Sequence, residues 1–556
     1  MVKRRILFCG ESSWLSTGFA IYNREILQGL HATGKYILAE MGSYGSENMP
    51  QAQKLPWKFY GVLPKTEQEK KMYESNQANA FGQYKIDAVV ADFQPDVIFS
   101  CTDPWMTLHL QACKFRDNYK LVLMPTVDSA PQRKDWLSGL FDKADHLLTY
   151  SRYGKRVLND AGLKVNSVPS PGVCLDKFKP LDKQTIRDKY QIKPSLLIIG
   201  TVMRNQKRKL FPELFEIYAS LRKKYRMTKK NKEDGKVIRI YHSALLCHTS
   251  WPDNGWNIPE LLERHGLTRH VIFTYKCEAC KAVFHSWFIP CDQKGFGVCR
   301  ICGEKQTHMP NTHSGVSREQ LAEIYNLMDI YVQPAICEGW GLPIMEAKAC
   351  GVPGLYQNYS AMEDHVQNGG GLPIKIGRFY TECETMAIRS LPDNTDFEKK
   401  LEMLCLDSKK RKRLAKEARK CAVKMHNWDL SVRKIEKLFD TMKLKDRDTS
   451  WDRQPKFKYL TEQRPPANYS NQDFIHWCYT NILGRVADEK GFNDWMNSLQ
   501  KNEDRNSVEQ FFRNEIKGHN IFEEIRWKNS LKLRNLSLEI EEVVSSYSNA
   551  IPGTVL

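Results

Sequence analysis

Short apolar runs alternate with helix-length amphipathic stretches along the chain through about residue 440. The runs Arg5 to Cys9, Asp96 to Cys101, Lys120 to Pro125, His146 to Tyr150, Leu196 to Thr201, Val237 to Ser243, Val271 to Tyr275 and Ile330 to Gln333 read as short, buried strands. Strands of this kind separated by helices predict parallel, doubly wound sheets. The alternation falls into two series. Between them, near residues 165 to 180, lies the extended, proline-punctuated stretch VNSVPSPGVCLDKFKP. This predicts two Rossmann-like α/β domains, over 1–168 and 169–445, with a ligand cleft at the C-terminal ends of their strands.

The pattern breaks twice. Between Tyr275 and Ser317 cysteine, glycine and histidine crowd in, which predicts a small insertion over 275–308. From about Lys443 to Asn468 the chain turns polar, with Pro455, Pro465 and Pro466, and residues 446–470 read as a linker. Amphipathic stretches from Gln472 to Ile521 then predict a small helical domain over 471–545, and the tail after about Glu541 reads as weakly ordered. There is no solenoid-type repeat.

Cys277, Cys280, Cys299 and Cys302 form C-x2-C, eighteen residues, then C-x2-C. Each close pair can sit on one turn and offer two thiolates, and four thiolates complete a tetrahedral zinc site with no open position. The expectation is a zinc ribbon whose metal is structural. Gly303 follows the last ligand, where the turn favours positive φ. Cys291 and His285 read as fillers of the ribbon, and Lys276, Lys281, Lys294, Arg300 and Lys305 make it basic.

At 556 residues the chain is too long for one core, and no apolar run approaches the roughly eighteen residues of a membrane span. The apolar run Ile6 to Cys9 is too short for a signal-peptide core. Sixteen cysteines without a secretion signal point to a reducing compartment, so a soluble, cytoplasmic protein is expected. The formal net charge of +18 favours a polyanionic partner such as nucleic acid. Much of it lies in Arg222 to Lys236 and Lys409 to Lys424, runs that also fit solvated faces.

Two loops of the second half carry donor-site chemistry. In GTVMRNQKRK, Arg204 and Lys209 follow a strand and can hold a diphosphate. In EGWGLPIME, Gly339 and Gly341 let the backbone approach a ligand, Leu342 and Pro343 open a helix, and that helix N-terminus attracts phosphate. Glu338 can accept bonds from sugar hydroxyls, and Glu346, inside the helix, can meet a ribose. In the first half, GESSWLSTGFAIYNREIL is a strand-to-helix loop in which Ser16, Thr17 and Gly18 can face donor phosphate or acceptor. Asp103 in CTDPW and Asp128 in PTVDSAP both follow strand-like runs.

Ile324 to Pro353 resembles the signature of glycosyltransferase family 4, retaining enzymes of the GT-B fold. Its E-x7-E pair falls on Glu338 and Glu346, and its phosphate-binding arginine and lysine on Arg204 and Lys209. Pro169 to Pro180 resembles the family's interdomain segment, with Cys174 where an aspartate often stands, and Asp128 stands near where the family often has a histidine. Asp128 then either hydrogen-bonds acceptor or donor sugar, or caps the following helix. The resemblance implies a GT-B chain with the acceptor on its first domain. Its donor would be a nucleoside-diphosphate sugar, UDP- or GDP-linked, transferred with retention and without a catalytic metal. Phe474 to Gln500 resembles domain of unknown function 4214 through Tyr479, Leu483-Gly484-Arg485, Asp488, Gly491 and Trp495.

Basic balance, a basic ribbon and no membrane or secretion signal together point to a DNA acceptor. A hydroxymethylated base in viral DNA, modified in the host cytoplasm, has that chemistry. A glycan, a lipid-linked sugar or a protein is the alternative acceptor, and a non-catalytic nucleotide- or DNA-binding scaffold is the alternative class.

Overall fold

In a computed structural model, the chain is described over residues 3–132, 137, 139, 141, 143–225, 240, 242–311, 314–383, 385–501 and 504–549, with backbone alone beyond 533. It divides into two compact units. One comprises Met1–Tyr84, Val97–Ala112 and Leu121–Met442, the other Lys85–Asp96, Cys113–Lys120 and Lys443–Leu556.

The first unit contains both sheets. One has seven strands in the order β3-β2-β1-β4-β5-β6-β7, namely β1 Arg4–Glu11, β2 Tyr36–Ser43, β3 Lys58–Gly61, β4 Val97–Ser100, β5 Lys120–Leu123, β6 His146–Leu148 and β7 Val165–Ser167. The second has β8 Leu197–Val202, β9 Ser243–His248, β10 Val271–Cys277, β11 Val283–Ser286, β12 Thr307–His308, β13 Ile330–Gln333, β14 Gly354–Gln357 and β15 Gly371–Ile374. Its order is β11-β10-β9-β8-β13-β14-β15, with β12 also paired to β10. Strands β8, β9, β10, β13, β14 and β15 pair in parallel, whereas β11 and β12 add antiparallel to β10. Ile198, Leu245, Phe273, Ile330 and Val332 are fully buried, as expected of strands covered on both faces. The α/β fold class expected from the alternation is present. Of the sequence's strand-like runs, Val237 to Ser243 falls mostly outside the described residues, and so does most of the basic run Arg222 to Lys236.

A hairpin, β16 Ile376–Thr381 and β17 Ile388–Pro392, interrupts the strand–helix alternation after β15. The chain then returns to the first sheet. The helix Trp428–Thr441 lies on the helix Gly18–Ala32, where Gly29 leaves room for Val432. Arg4 Nη1 donates to Met442 O at 3.1 Å, and Val173 N in the proline-punctuated stretch donates to His426 O at 2.8 Å.

The second unit is helical. Asn471–Trp477, Glu489–Gln500 and Arg505–Asn549 enclose a core of Phe474, Tyr479, Ile482, Val508 and Phe512. The stretch read as a linker carries Trp451, which is fully buried and donates its indole N–H to Pro95 O at 3.1 Å. That stretch is therefore docked within this unit at its start, because an indole of this size is worth burying. The helical backbone continues to Asn549, past the point where the sequence reads as weakly ordered, and the last seven positions lie outside the described residues. Among the described residues no helix is long and apolar enough to cross a membrane.

A Cβ added at Gly29 would lie 2.4 Å from Val432 Cγ2. Gly29→Val should therefore destabilise the chain by about 1–3 kcal/mol through overpacking. Adding Val432→Ala should recover part of that loss. Denaturant midpoints of the single and double variants test this, and additive effects contradict it.

Candidate active site and four-cysteine lobe

The loop after β8 and the loop after β13 are laced together by backbone bonds, Leu210 N to Pro334 O at 3.1 Å and Ile336 N to Arg208 O at 2.9 Å. This brings Lys209 under Glu338. Both side chains are buried, and Lys209 Nζ donates to Glu338 Oε1. Gln333 Nε2 donates to the same oxygen at 2.8 Å, its amide turned that way because Tyr331 OH occupies its Oε1. Arg208 Nη1 donates to Glu338 Oε2 at 2.9 Å and to Cys337 O at 3.0 Å. A carboxylate offers about four lone-pair positions. Three are filled, so Oε2 keeps one for a further donor. Burial, and then the charge of Arg208, push the Lys209 ammonium down.

Arg204 is elsewhere. Its Nε and Nη2 form a bidentate pair with Asp253 at 2.8 and 2.9 Å, and its side chain is 45% exposed. The structure thus brings Lys209 to Glu338, a contact the sequence did not give, and the guanidinium on Glu338 belongs to Arg208, which sequence reasoning missed although it adjoins Lys209.

The backbone beyond Glu338 is shaped by its glycines. A Cβ on Gly339 would sit 2.0 Å from Thr126 Cγ2, so only glycine lets this loop pass the segment after β5. Gly341 has φ 93° and precedes the helix Leu342–Ala349, whose first turn holds Pro343 and has no side-chain cap. Pro343 has no N–H and Ile344 N donates to Gly341 O at 3.0 Å, so what this helix end offers a ligand is chiefly the positive end of its dipole. Gly18 begins the helix Gly18–Ala32 opposite Leu342, with 3.8 Å from an added Cβ to Leu342 Cδ1. Thr17 caps that helix by accepting from Ala20 N at 3.3 Å and donates to Glu11. Ser16 is exposed beside it. One turn into its helix, Glu346 accepts from Tyr325 OH at 2.8 Å. Burial raises its carboxyl to about 7, against the Tyr325 bond and the nearby Arg318 charge.

Asp128 neither caps a described helix nor stands free. It accepts from Arg389 Nη1 at 3.1 Å, Ser129 Oγ at 3.0 Å and Cys337 Sγ at 3.3 Å. Burial raises its carboxyl, but Arg389 and these bonds outweigh burial and hold it low. Asp103 shows the opposite shift, to about 6, raised by burial and by the charges of Asp128 and Glu11, with Arg208 opposing. Glu11 and Arg389 are further site residues that the sequence reading did not single out. Glu11 ends β1 and Arg389 is the second residue of β17, and neither carries a motif of its own.

The four cysteines meet at the edge of the second sheet. Cys277 Sγ lies 3.7 Å from Cys302 Sγ and Cys280 Sγ 3.9 Å from Cys299 Sγ, with all four sulfurs within 4.8 Å of one another. A tetrahedron of metal–sulfur bonds of about 2.3 Å has edges of about 3.8 Å, so the donor set fits a metal ion. Ile301 N donates to Cys299 Sγ at 3.4 Å and Gly303 turns at φ 80°. Cys291 and His285 do not join the group. Part of the lobe's positive charge is paired, Lys276 and Lys281 with Glu278 and Lys305 with Asp292.

Comparison with known proteins bears on this arrangement. Residues 304–421 match the model of glycosyl transferases group 1, and residues 461–514 that of domain of unknown function DUF4214. No curated protein sequence matches the chain. The fold is similar to that of sucrose-phosphate synthase from Thermosynechococcus elongatus, at TM-score 0.54 and 16% identity, covering 79% of this chain and 98% of that one. Anabaena HepE in complex with UDP and glucose is similar at TM-score 0.55 and 12% identity, covering 79% and 100%. A glycosyltransferase from Rickettsia africae gives TM-score 0.53 and 14% identity, covering 79% and 98%. Over residues 304–421 the chain thus matches the group 1 glycosyltransferases, its α/β fold is that of the GT-B enzymes, and it carries a four-cysteine lobe and, over residues 461–514, a match to DUF4214.

Proposed function

We propose that the chain moves a sugar, with retention, from a UDP-sugar to a hydroxymethylated base in DNA. The observation that carries the donor half is the buried Glu338, held by Lys209, Arg208 and Gln333 with one lone pair left over. That lone pair would accept a sugar hydroxyl. Lys209 has N–H donors beyond the one given to Glu338. With the uncapped N-terminus of the Leu342 helix, they would meet the diphosphate. Arg204 would join them by exchanging Asp253 for phosphate. UDP is favoured because Anabaena HepE, similar in fold, was obtained with UDP.

In the reaction the bond from the anomeric carbon to the phosphate oxygen breaks. A bond from the acceptor oxygen forms on the same face, and the departing phosphate oxygen takes the acceptor proton. Charge gathers on the phosphate, so the cations and the helix end stabilise the transition state more than the ground state. Asp128, held ionised by Arg389, would position the sugar or acceptor rather than take the proton. Asp103 and Glu11 would line the acceptor side.

The DNA half rests on charge. The net charge is +18. Lys409, Arg413, Lys416, Lys420 and Lys424 line one face of the helix Ser408–Met425, and all are exposed. Such stripes favour phosphate backbones. The four cysteines would hold a structural zinc. All sixteen cysteines lack a disulfide, as suits a reducing cytoplasm.

Mass spectrometry of DNA containing 5-hydroxymethylpyrimidines, after incubation with the enzyme and pooled UDP- and GDP-sugars, should show a hexose or pentose mass added to the base. The same preparation should contain about one zinc per chain. Transfer to glycans or proteins with none to DNA contradicts the acceptor, and a metal-free chain contradicts the zinc.

Glu346 gives a pH signature. Its carboxyl is raised from 4.5 to about 7 by burial, so the folded chain holds that proton more tightly than the unfolded one. This stability is full below pH 4.5 and is lost as pH rises through 7. Relative to Glu346→Gln, the ligand-free wild type should therefore lose denaturation midpoint across that range, whereas parallel pH profiles contradict it.

A further inference from the structure

A groove of about 500 Å³ opens between the loop after β5, at Ala130 to Gln132, the helix Arg152–Asp160 and the β16–β17 hairpin. Its walls are apolar. Tyr359 is buried, and its hydroxyl bonds to Ile388 O. Phe379 stands edge-on to it, ring centres 5.7 Å apart, and is 55% exposed. Among the described residues Ile388, Pro131, Val157 and Ala161 complete the walls, and Gln132 and Asp160 bring polar side chains to the groove. The hairpin is fastened here because Ile388 N donates to Ala130 O at 2.9 Å. The next residue, Arg389, holds Asp128 and lies 3.1 Å from the sulfur of Cys337, the neighbour of Glu338. Groove and candidate donor site are thus joined through one strand end.

We infer that this groove is the acceptor subsite and takes the flat ring of a nucleobase, stacked on Phe379 with its edge toward Gln132 and Asp160. The inference rests on the glycosyltransferase reading and deepens its acceptor half. The volume is that of a small-molecule site. A pyranose would bring several hydroxyls against walls that, among the described residues, are mostly apolar, and each unpaired hydroxyl costs about 1–3 kcal/mol. A base has apolar faces and a polar edge, which is the division this groove presents. Asp160 repels phosphate from the groove, so the backbone would stay outside and the base alone would enter, as in enzymes that act on extruded bases. Stacking of a base on one aromatic side chain is worth about a 5- to 150-fold change in binding.

The test is steady-state transfer to a single-stranded oligonucleotide carrying one 5-hydroxymethylcytosine, with Phe379→Ala and Phe379→Trp. Phe379→Ala should raise the acceptor KM about tenfold or more while kcat at saturating acceptor changes much less, and Phe379→Trp should restore it. Phe379 is half exposed, so neither variant disturbs the core, and thermal midpoints check this. An unchanged acceptor KM in Phe379→Ala with transfer to DNA intact overturns the groove and leaves the DNA acceptor standing. Transfer to glycans with none to DNA overturns both. If turnover with the oligonucleotide is too slow to follow, its anisotropy titration decides: weakened binding restored by tryptophan supports the groove, and equal binding overturns it.

Discussion

The site depends on one constraint, that the carboxylate of Glu338 is buried and must be matched where it lies. Removing such a charge from water costs several kcal/mol, and stripping one partner from a buried pair costs about 3–5 kcal/mol. Lys209, Arg208 and Gln333 meet that demand. To bring them there, the loops after β8 and β13 have to run side by side. Gln333 must end its strand with its amide turned by Tyr331, and the chain beyond Glu338 must bend sharply enough to start a helix at Leu342. The pair therefore sets where the helix N-terminus points. It also leaves the glutamate with one unfilled acceptor position, and a ligand rather than the protein would fill it.

The same loop ties the two halves of the first unit together. Gly339 passes Thr126 where no side chain fits, and Cys337 and Arg389 reach Asp128 on the segment after β5. Arg318 of the second half pairs with Glu25 of the first. Carboxylates from the first half, Glu11 and Asp103, are raised by burial, whereas Asp128 is kept low by Arg389. Carboxyl groups at neighbouring places in one cleft thus differ in readiness to hold a proton because their cationic neighbours differ.

Much of this was legible in the sequence, for physical reasons that vary by element. Buried parallel strands have to be continuous apolar runs, so β1, β8, β10 and β13 stand out. Two C-x2-C pairs are so constrained by tetrahedral geometry that their convergence could be expected from spacing alone. Glu338 and Lys209 were found through a family pattern, and the structure adds the contact between them. What stayed hidden was set by distant partners. Arg204 and Arg208 look equivalent in RNQKRK, and Asp253, far along the chain, draws one of them away. The hairpin Ile376–Pro392 carries exposed aromatics without a clean alternation, and only its bridge to Ala130 reveals its use. Trp451 looked like part of a polar tether because its hydrogen-bond partner, Pro95, lies far back in the sequence.

The account stands on the diphosphate meeting Lys209 beside Glu338, and the most direct measurement is calorimetric titration of UDP into wild type and Lys209→Gln. Glutamine keeps a hydrogen-bond donor for Glu338 and removes the charge, so the fold is preserved while the phosphate contact is weakened. A charge-assisted hydrogen bond is worth about 1.5–3 kcal/mol, which predicts a loss of UDP affinity of about tenfold or more. A folded Lys209→Gln chain that binds UDP as tightly as wild type contradicts the placement of the donor.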